Sequence, residues 1–351
     1  MTLRPFRLVA EAGQLDTPLG RRLAARLGHV EVRPVLRPRD WGAFGPDDLL
    51  LTRHQGDFWK PCPGTRGYNC CGLRILHFGL GCSLDCTYCI LQEYLDTRAL
   101  VLFGNLDQAL DELSSRLQDP GFAPRRFCTG EFTDSLFLEE LTGLGAKLVA
   151  LFSRAPGWLL ELKTKTDNVG GLLDLDHGGR TIISFSLNAP GPARTEERRA
   201  APLTRRLEAA ARAARAGYRL GFHFDPLLLH PGWEEGYERL VGDLFDRVPA
   251  ERVAWISLGA FRFQPELKEV IRRRHPASHI TDQEFVRAAD GKMRYLRPIR
   301  VSLYQRLVSA IQRAAPGVTL YLCMESPRVW REVFGFDPGT EGLTRMLDAR
   351  V

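Results

Sequence analysis

From residue 73 onward, short runs of branched and aromatic residues alternate with longer stretches whose apolar positions recur every three or four residues. The strand-like runs are LRILHFG (73–79), RRFCTGE (125–131), WLLELKT (158–164), RTIISFSLN (180–188), YRLGFHFD (218–225), RVAWISLG (252–259) and VTLYLCM (318–324). Between several of them lie helical patterns: NLDQALDELSSRLQD with Asn105 as cap, LTRRLEAAARAARAG ending on Gly217, GWEEGYERLVGDLFDRV, and PIRVSLYQRLVSAIQRA. Alternating βα units predict a parallel sheet with helices outside it. Six or seven such units make a full or partial barrel, in which functional groups gather at the C-terminal ends of the strands. That rule marks 79–89, 130–131, 163–165, 184–188, 223–225, 257–259 and 323–326.

The first 60 residues read as a small preamble. TPLGRRLAARLG predicts a short helix with Thr17 as cap and Gly28 as stop, and HVEVRPV alternates like a strand. DFWKPCPGTRGYNCCG is dense in turn residues and predicts a loop.

Composition narrows the class. A chain of 351 residues holds one large α/β domain or two ordinary ones. The start carries Glu11 and Asp16 and no long apolar core, so it does not read as a signal peptide. The most apolar run, LGFHFDPLLLH (220–230), is too short to span a bilayer. These features predict a cytoplasmic protein without a membrane partner. In a reducing compartment its eight cysteines favour metal ligation or redox chemistry over a disulfide framework. The net charge is +6, with basic clusters at RTEERRAAPLTRR (194–206) and RRRHP (272–276). A nucleic-acid surface and a solvated helix face with interleaved acids both fit these clusters.

The densest chemistry lies just after the first of these strands. GLGCSLDCTYCILQEYL places Cys82, Cys86 and Cys89 at C-x3-C-x2-C spacing, with Tyr88 before the last. Three thiolates on one tight loop suit three irons of a [4Fe–4S] cube, leaving the fourth iron open. A zinc site is the alternative and requires Cys70 or Cys71 as a fourth ligand.

The spacing and its strand-end setting resemble the radical S-adenosylmethionine (radical SAM) superfamily. That resemblance implies that SAM occupies the open iron and is split reductively to a 5′-deoxyadenosyl radical, with a flavodoxin or ferredoxin as electron donor. Thr129, Gly130 and Glu131 fall where the superfamily has its Gly-Gly-Glu motif, in which the acid holds SAM's ammonium.

The longer text resembles one branch, the spore photoproduct lyase family. EAGQLDTPLGRRL, VEVRPV, YCILQ, LKTKTDNVGGLLDLDHGGRTIISFSLN, AGYRLGFHFDPLLLHPGWEEGY and FRFQPELKEVIRRRHP are similar to family segments in the same order. The resemblance implies that Cys82, Cys86 and Cys89 ligate the cluster and that Tyr88 is an active-site tyrosine. It places Lys165 and Ser186 at the carboxylate and amine end of SAM, with Thr133 near the same group. Arg294 and Tyr295, in MRYLRPIR, correspond to a hairpin pair that contacts a DNA lesion, and a guanidinium beside an aromatic ring suits a phosphate and an extruded base.

Two departures stand out. Glu131 occupies the position of the lyase's hydrogen-donating cysteine, and Ile90 that of a tyrosine. A carboxylic O–H is a poor hydrogen-atom donor, so Glu131 fits SAM binding better.

The chain also adds thiols. Cys62, Cys70 and Cys71, with Cys323 or Cys128, form the candidate ligand set of a second iron–sulfur cluster, with a zinc staple or inert buried thiols as alternatives. Cys323, at a strand end, is also the candidate replacement hydrogen donor.

The expected architecture is α/β: residues 1–70 as an N-terminal extension with a cysteine loop, 71–260 as a partial (β/α)6-type radical SAM barrel, and 261–351 as a helix and strand addition with a substrate-contacting hairpin. The expected activity is hydrogen abstraction from a nucleic-acid base or lesion, with DNA or RNA as partner. Modification of a peptide or small molecule, and a non-catalytic iron–sulfur or zinc module, are the alternatives.

Overall fold

The computed structural model describes residues 7–65, 67–119 and 126–350. Positions 1–6 of the chain start and Arg125 of the second expected strand lie outside them. In chain order the first strands are β1 (Arg7–Glu11), β2 (Val30–Arg33), β3 (Asp48–Thr52), β4 (Trp59–Pro61), β5 (Arg74–Leu76), β6 (Gly79–Leu80) and β7 (Leu100–Phe103). The helix Pro18–Leu27 joins β1 to β2. It starts on Thr17, whose hydroxyl accepts the Gly20 amide at 3.0 Å, and stops at Gly28.

The preamble is more than an extension. β2, β1, β3, β7 and β6 form a five-stranded sheet, parallel except for β6 against β7. It draws strands from both sides of residue 70, so strand pairing crosses the expected boundary there. The runs DLLLT and LVLF, which form β3 and β7, are buried throughout. Short apolar runs without alternation belong to strands covered on both faces.

The remaining strands are β8 (Arg126–Cys128), β9 (Leu159–Thr164), β10 (Thr181–Ser186), β11 (Arg219–Leu227), β12 (Val253–Ala260), β13 (Arg262–Phe263), β14 (Phe285–Arg287), β15 (Met293–Tyr295) and β16 (Leu320–Leu322). The main sheet runs β16-β12-β11-β10-β9-β8-β5-β4 and curls into a half-barrel. Every pairing in it is parallel except β4 with β5. The helices Leu106–Arg116, Leu203–Arg215, Trp233–Phe245 and Arg297–Ala314 form where the apolar spacing predicts them. Asn105 does not cap its helix through its side chain. Its Oδ1 accepts the His54 amide at 2.8 Å instead, tying the helix start to the loop after β3. The last parallel strand, β16, comes from the C-terminal region. A small antiparallel sheet, β13-β15-β14, adjoins the barrel's end. No helix among the described residues is long and apolar enough to cross a membrane.

The half-barrel encloses a polar network as well as apolar side chains. Glu161 Oε1 accepts from Ser184 Oγ at 2.6 Å and from Trp255 Nε1 at 3.1 Å, and lies 2.8 Å from His223 Nε2. His223 Nδ1 lies 2.6 Å from Ser257 Oγ, and Lys163 Nζ lies 3.4 Å from Glu161 Oε2. Burial pushes the Glu161 carboxyl up, but Lys163 and His223 outweigh it and hold it well below the usual carboxylate range. Burial, helped by Lys163, lowers the His223 imidazole against the pull of Glu161.

Both shifts act in the same direction on stability. Each favours the deprotonated form in the folded state, so each contribution is complete above the group's unfolded pKa and is lost as pH falls. Loss is expected to begin below about pH 6.5 through His223 and to deepen below about pH 4.3 through Glu161. Urea denaturation across pH 3–8 checks this. Glu161→Gln is expected to lower stability at pH 7 and to flatten the loss below about pH 4.

Candidate functional site

The C-terminal ends of the barrel strands open into a cavity of about 360 Å³. Such a volume suits a cofactor-sized ligand. Cys82, Cys86 and Cys89 line one side of it, and no other cysteine among the described residues does. Cys70 and Cys71, the fourth ligands that a zinc site would need, do not line it. Burial pushes all three loop thiols up from their ordinary value, so the bare loop holds them protonated and ligation must displace those protons.

Gly130, Glu131, Thr133, Lys165 and Ser186 line the same cavity, although they come from the ends of three different strands. Tyr88 and Ile90 also face it. A side chain could not replace Gly130 without crowding, since a Cβ there would stand 3.2 Å from both Lys163 Cβ and Ser135 Oγ. Glu131 Oε2 lies 3.1 Å from the Lys60 ammonium, the kind of partner that SAM's ammonium would be. The donor set, the volume and the cradle at Gly130 therefore fit a three-thiol cluster and SAM.

Three features of the site are not evident from the motif. The first is Asp134. Its carboxylate accepts the amides of Leu136 and Phe137 at 2.9 Å, the Thr164 hydroxyl at 2.7 Å and the Lys165 amide at 2.7 Å. Burial raises its carboxyl despite those bonds. It fixes the turn after β8 to the end of β9, and so places Lys165. A short acid just before an apolar run, TDSLF, was the available signal.

The second is the clamp on the cluster loop. Tyr88 Oη donates to Glu197 Oε1, while Arg206 Nη2 pairs with Glu197 Oε2 and Arg206 Nη1 donates to Ser186 O at 2.7 Å. Lys165 Nζ stands 3.9 Å from Glu197 Oε1 and 5.7 Å from the centre of the Tyr88 ring. Glu196 accepts from Thr87 Oγ1 and, at 2.7 Å, from Ser278 Oγ. Glu197 is 3 % and Arg206 1 % exposed. Within RTEERRAAPLTRR these residues are therefore neither a solvated helix face nor a nucleic-acid surface.

The third is the RRRHP run. Arg274 lines the cavity and donates to Asp85 at 3.4 Å, and His275 Nε2 lies 3.0 Å from Gln92 Oε1. Gln92 in turn donates to the carbonyls of Cys86 and Thr87 at 3.1 and 2.7 Å. This basic run also braces the loop.

Three predicted residues lie elsewhere. Arg294 and Tyr295 sit on β15 with buried side chains, 1 % and 0 % exposed. Arg294 pairs with Asp290 at 2.6 Å, donates to Met324 O at 3.1 Å and stacks over Tyr68 at 4.6 Å. Tyr295 Oη accepts the Leu229 amide at 3.1 Å, and its ring stacks on Phe285 at 4.7 Å. Each already has partners within the protein, so in this structure neither side chain is exposed to a substrate. Cys323 follows β16, where its amide donates to Leu258 O at 2.8 Å, and it does not line the cavity.

Comparison with known proteins agrees with this geometry. The family model described as spore photoproduct lyase matches residues 74–310, more than half of the chain. The spore photoproduct lyase of Bacillus subtilis (strain 168) is 29 % identical over 252 residues, covering 69 % of this chain and 74 % of the relative. That of Clostridium acetobutylicum is 24 % identical over 284 residues, covering 77 % and 82 %. Among solved structures, a spore photoproduct lyase complexed with dinucleoside spore photoproduct superposes with a TM-score of 0.77 at 23 % identity, covering 91 % of this chain and 100 % of that one. A substituted form with bound AdoMet and dinucleoside spore photoproduct gives 0.77 at 24 %, with the same coverage. The half-barrel with its three-cysteine cavity thus belongs to the spore photoproduct lyase family, and the chain is a radical SAM enzyme.

Proposed function

We propose that the chain uses a [4Fe–4S] cluster on Cys82, Cys86 and Cys89, with SAM beside it, to abstract hydrogen from a nucleic-acid base or lesion. One observation carries the reading: residues from four separate segments converge on one cavity, and they are the residues that this chemistry requires. When bound, cluster and SAM supply a 5′-deoxyadenosyl radical by reductive cleavage of a carbon–sulfur bond.

The chain's own residues do the rest. Cys82, Cys86 and Cys89 give up their protons and hold the cluster by three corners. Glu131 receives an ammonium, and Lys165, placed by Asp134, meets a carboxylate. Ser186 and Thr133 offer hydroxyls to the same polar end, while Gly130 lets the ligand approach the backbone. Tyr88, held by Glu197, walls the cavity and excludes water.

The nucleic-acid part of the reading rests on the relatives, whose solved complexes hold dinucleoside spore photoproduct. In this chain Arg294 and Tyr295 anchor the small sheet, and its outward side chains, Val286 and Arg287, face solvent. Glu131 and Ile90 border the cavity where the resemblance implies a cysteine and a tyrosine. That change favours a substrate or outcome different from thymine-dimer reversal.

The test is anaerobic turnover with dithionite, SAM and deuterium-labelled nucleic acid. Label is expected in 5′-deoxyadenosine, and Cys82→Ala/Cys86→Ala/Cys89→Ala is expected to form none. Binding of the nucleic acid should weaken steeply with salt; flat dependence overturns the nucleic-acid assignment in favour of a peptide or small molecule. Lys165→Ala is expected to weaken SAM binding by roughly tenfold to a hundredfold in equilibrium dialysis, the loss of a charged hydrogen bond. Glu197→Ala leaves Arg206 buried without its partner and is expected to cost about 3–5 kcal/mol in urea denaturation. Iron uptake on reconstitution should fall with it, whereas Glu208→Ala, on an exposed position, changes neither.

A further inference from the structure

Five cysteines lie outside the SAM cavity: Cys62, Cys70, Cys71, Cys128 and Cys323. Four of them converge. Cys62 follows β4, and its amide donates to Leu73 O at 3.0 Å, one step past the Pro61–Arg74 pair of the β4–β5 ladder. The connection between those strands folds back on itself and brings the Cys70 thiol beside Cys62 and Cys71, while the Asn69 amide donates to Glu325 O at 3.1 Å and holds the loop against the segment after β16. Gly64 allows that closure: its φ is +37°, and a Cβ there would stand 3.4 Å from Cys70 Sγ. Cys323 arrives from the end of β16, near enough to Cys71 for their charges to interact. Cys62, Cys70, Cys71 and Cys323 are all half-buried. Cys128 differs: it is buried in β8, and its sulfur accepts the Gly130 amide at 3.4 Å.

The surroundings hold these thiols in place. Asn69 donates to Asp337 Oδ1 at 2.8 Å, and the Cys70 amide donates to Thr340 Oγ1 at 3.3 Å, so the C-terminal segment covers the loop. Arg126 donates to the Cys71 carbonyl, and Arg262 Nη2 lies 3.9 Å from Cys323 Sγ. Lys163 lines the SAM cavity and lies near enough to Cys71 and Cys323 for their charges to interact. Positive groups around four soft donors suit an anionic thiolate-ligated centre.

We propose that Cys62, Cys70, Cys71 and Cys323 ligate a second, four-thiolate iron–sulfur cluster of the [4Fe–4S] class. Among the described residues no three such side chains stand preformed around a single metal ion, and this holds for Cys82, Cys86 and Cys89 as well. A lone zinc draws its sulfur ligands to about 2.3 Å, whereas a cube spreads them around a larger core. With a cysteine on every iron the second cluster has no open position, so SAM binding stays with the loop of Cys82, Cys86 and Cys89.

The test reconstitutes the full-length chain anaerobically and measures iron, acid-labile sulfide, zinc and the electron paramagnetic resonance of the dithionite-reduced protein. The unsubstituted chain is expected to hold about eight irons, two cubes' worth. Cys82→Ala/Cys86→Ala/Cys89→Ala is expected to keep about half of that, with a signal that SAM does not alter. Cys62→Ser/Cys70→Ser/Cys71→Ser is expected to keep the other half, with a signal that SAM does alter. Should that triple variant fail to fold, Cys323→Ser alone, at a half-buried position, is expected to lower iron and to change the SAM-insensitive signal. Four irons in the unsubstituted chain, all lost from the Cys82/Cys86/Cys89 variant, overturn the second cluster and leave the SAM site standing. One zinc in place of iron in that variant also overturns it. Iron that survives loss of Cys82, Cys86 and Cys89 but vanishes with Cys62, Cys70 and Cys71 supports the second cluster and overturns the first.

Discussion

The site depends on one buried ion pair. Glu197 and Arg206 lie inside the protein with almost no exposure, and between them they touch the cluster loop, the end of β10 and the neighbourhood of Lys165. Two charges taken out of water are costly unless their remaining donors and acceptors are met. The Tyr88 hydroxyl and the Ser186 carbonyl, both groups of the cavity wall, meet part of that need, while Arg206 Nε is buried without a hydrogen-bond partner among the described residues. The pair therefore fixes position more than it adds stability: the loop that carries three thiols adopts the one arrangement that satisfies Glu197. Asp134 plays the matching part on the far side, binding four groups across two strand ends.

Much of this was legible in the chain. Parallel strands read as apolar runs at regular spacing, and the rule that function gathers at their C-terminal ends brought Cys82, Gly130, Lys165 and Ser186 forward before any coordinates. The clamp was not legible, because charged residues separated by eight others look like a solvated surface. Only burial distinguishes Glu197 and Arg206 from Glu208, which really is exposed. β3 and β7 were missed for the opposite reason. Their residues are apolar without period, and a four- or five-residue run of that kind does not announce its partner. Arg294 and Tyr295 were placed from residue type alone, and residue type does not carry exposure: both are buried here.

Membership of the family leaves the outcome of the reaction open to this chain's own residues. The cavity wall has Glu131 and Ile90 where a hydrogen-atom relay would need a thiol and a phenol. Neither replacement has a weak bond to hydrogen. On the proposed reading, the residues that would start radical chemistry are present, while those that the resemblance implies for returning hydrogen are replaced. The cysteines in the loop after β4 and at the end of β16 do not line the cavity.

The first sheet gives the cluster loop an unusual pedigree. β6 and β7 flank the loop and pair within the N-terminal sheet, while β5, just before it, pairs in the barrel. The loop is therefore the seam between two sheets, and its shape is set only when both exist. Parallel pairing of β1 with β3, and of β3 with β7, joins segments far apart in the chain, so closing that seam carries a large loop-closure cost. The spacing of the three thiols is thus a property of two sheets at once, and a change in the packing of either reaches the loop.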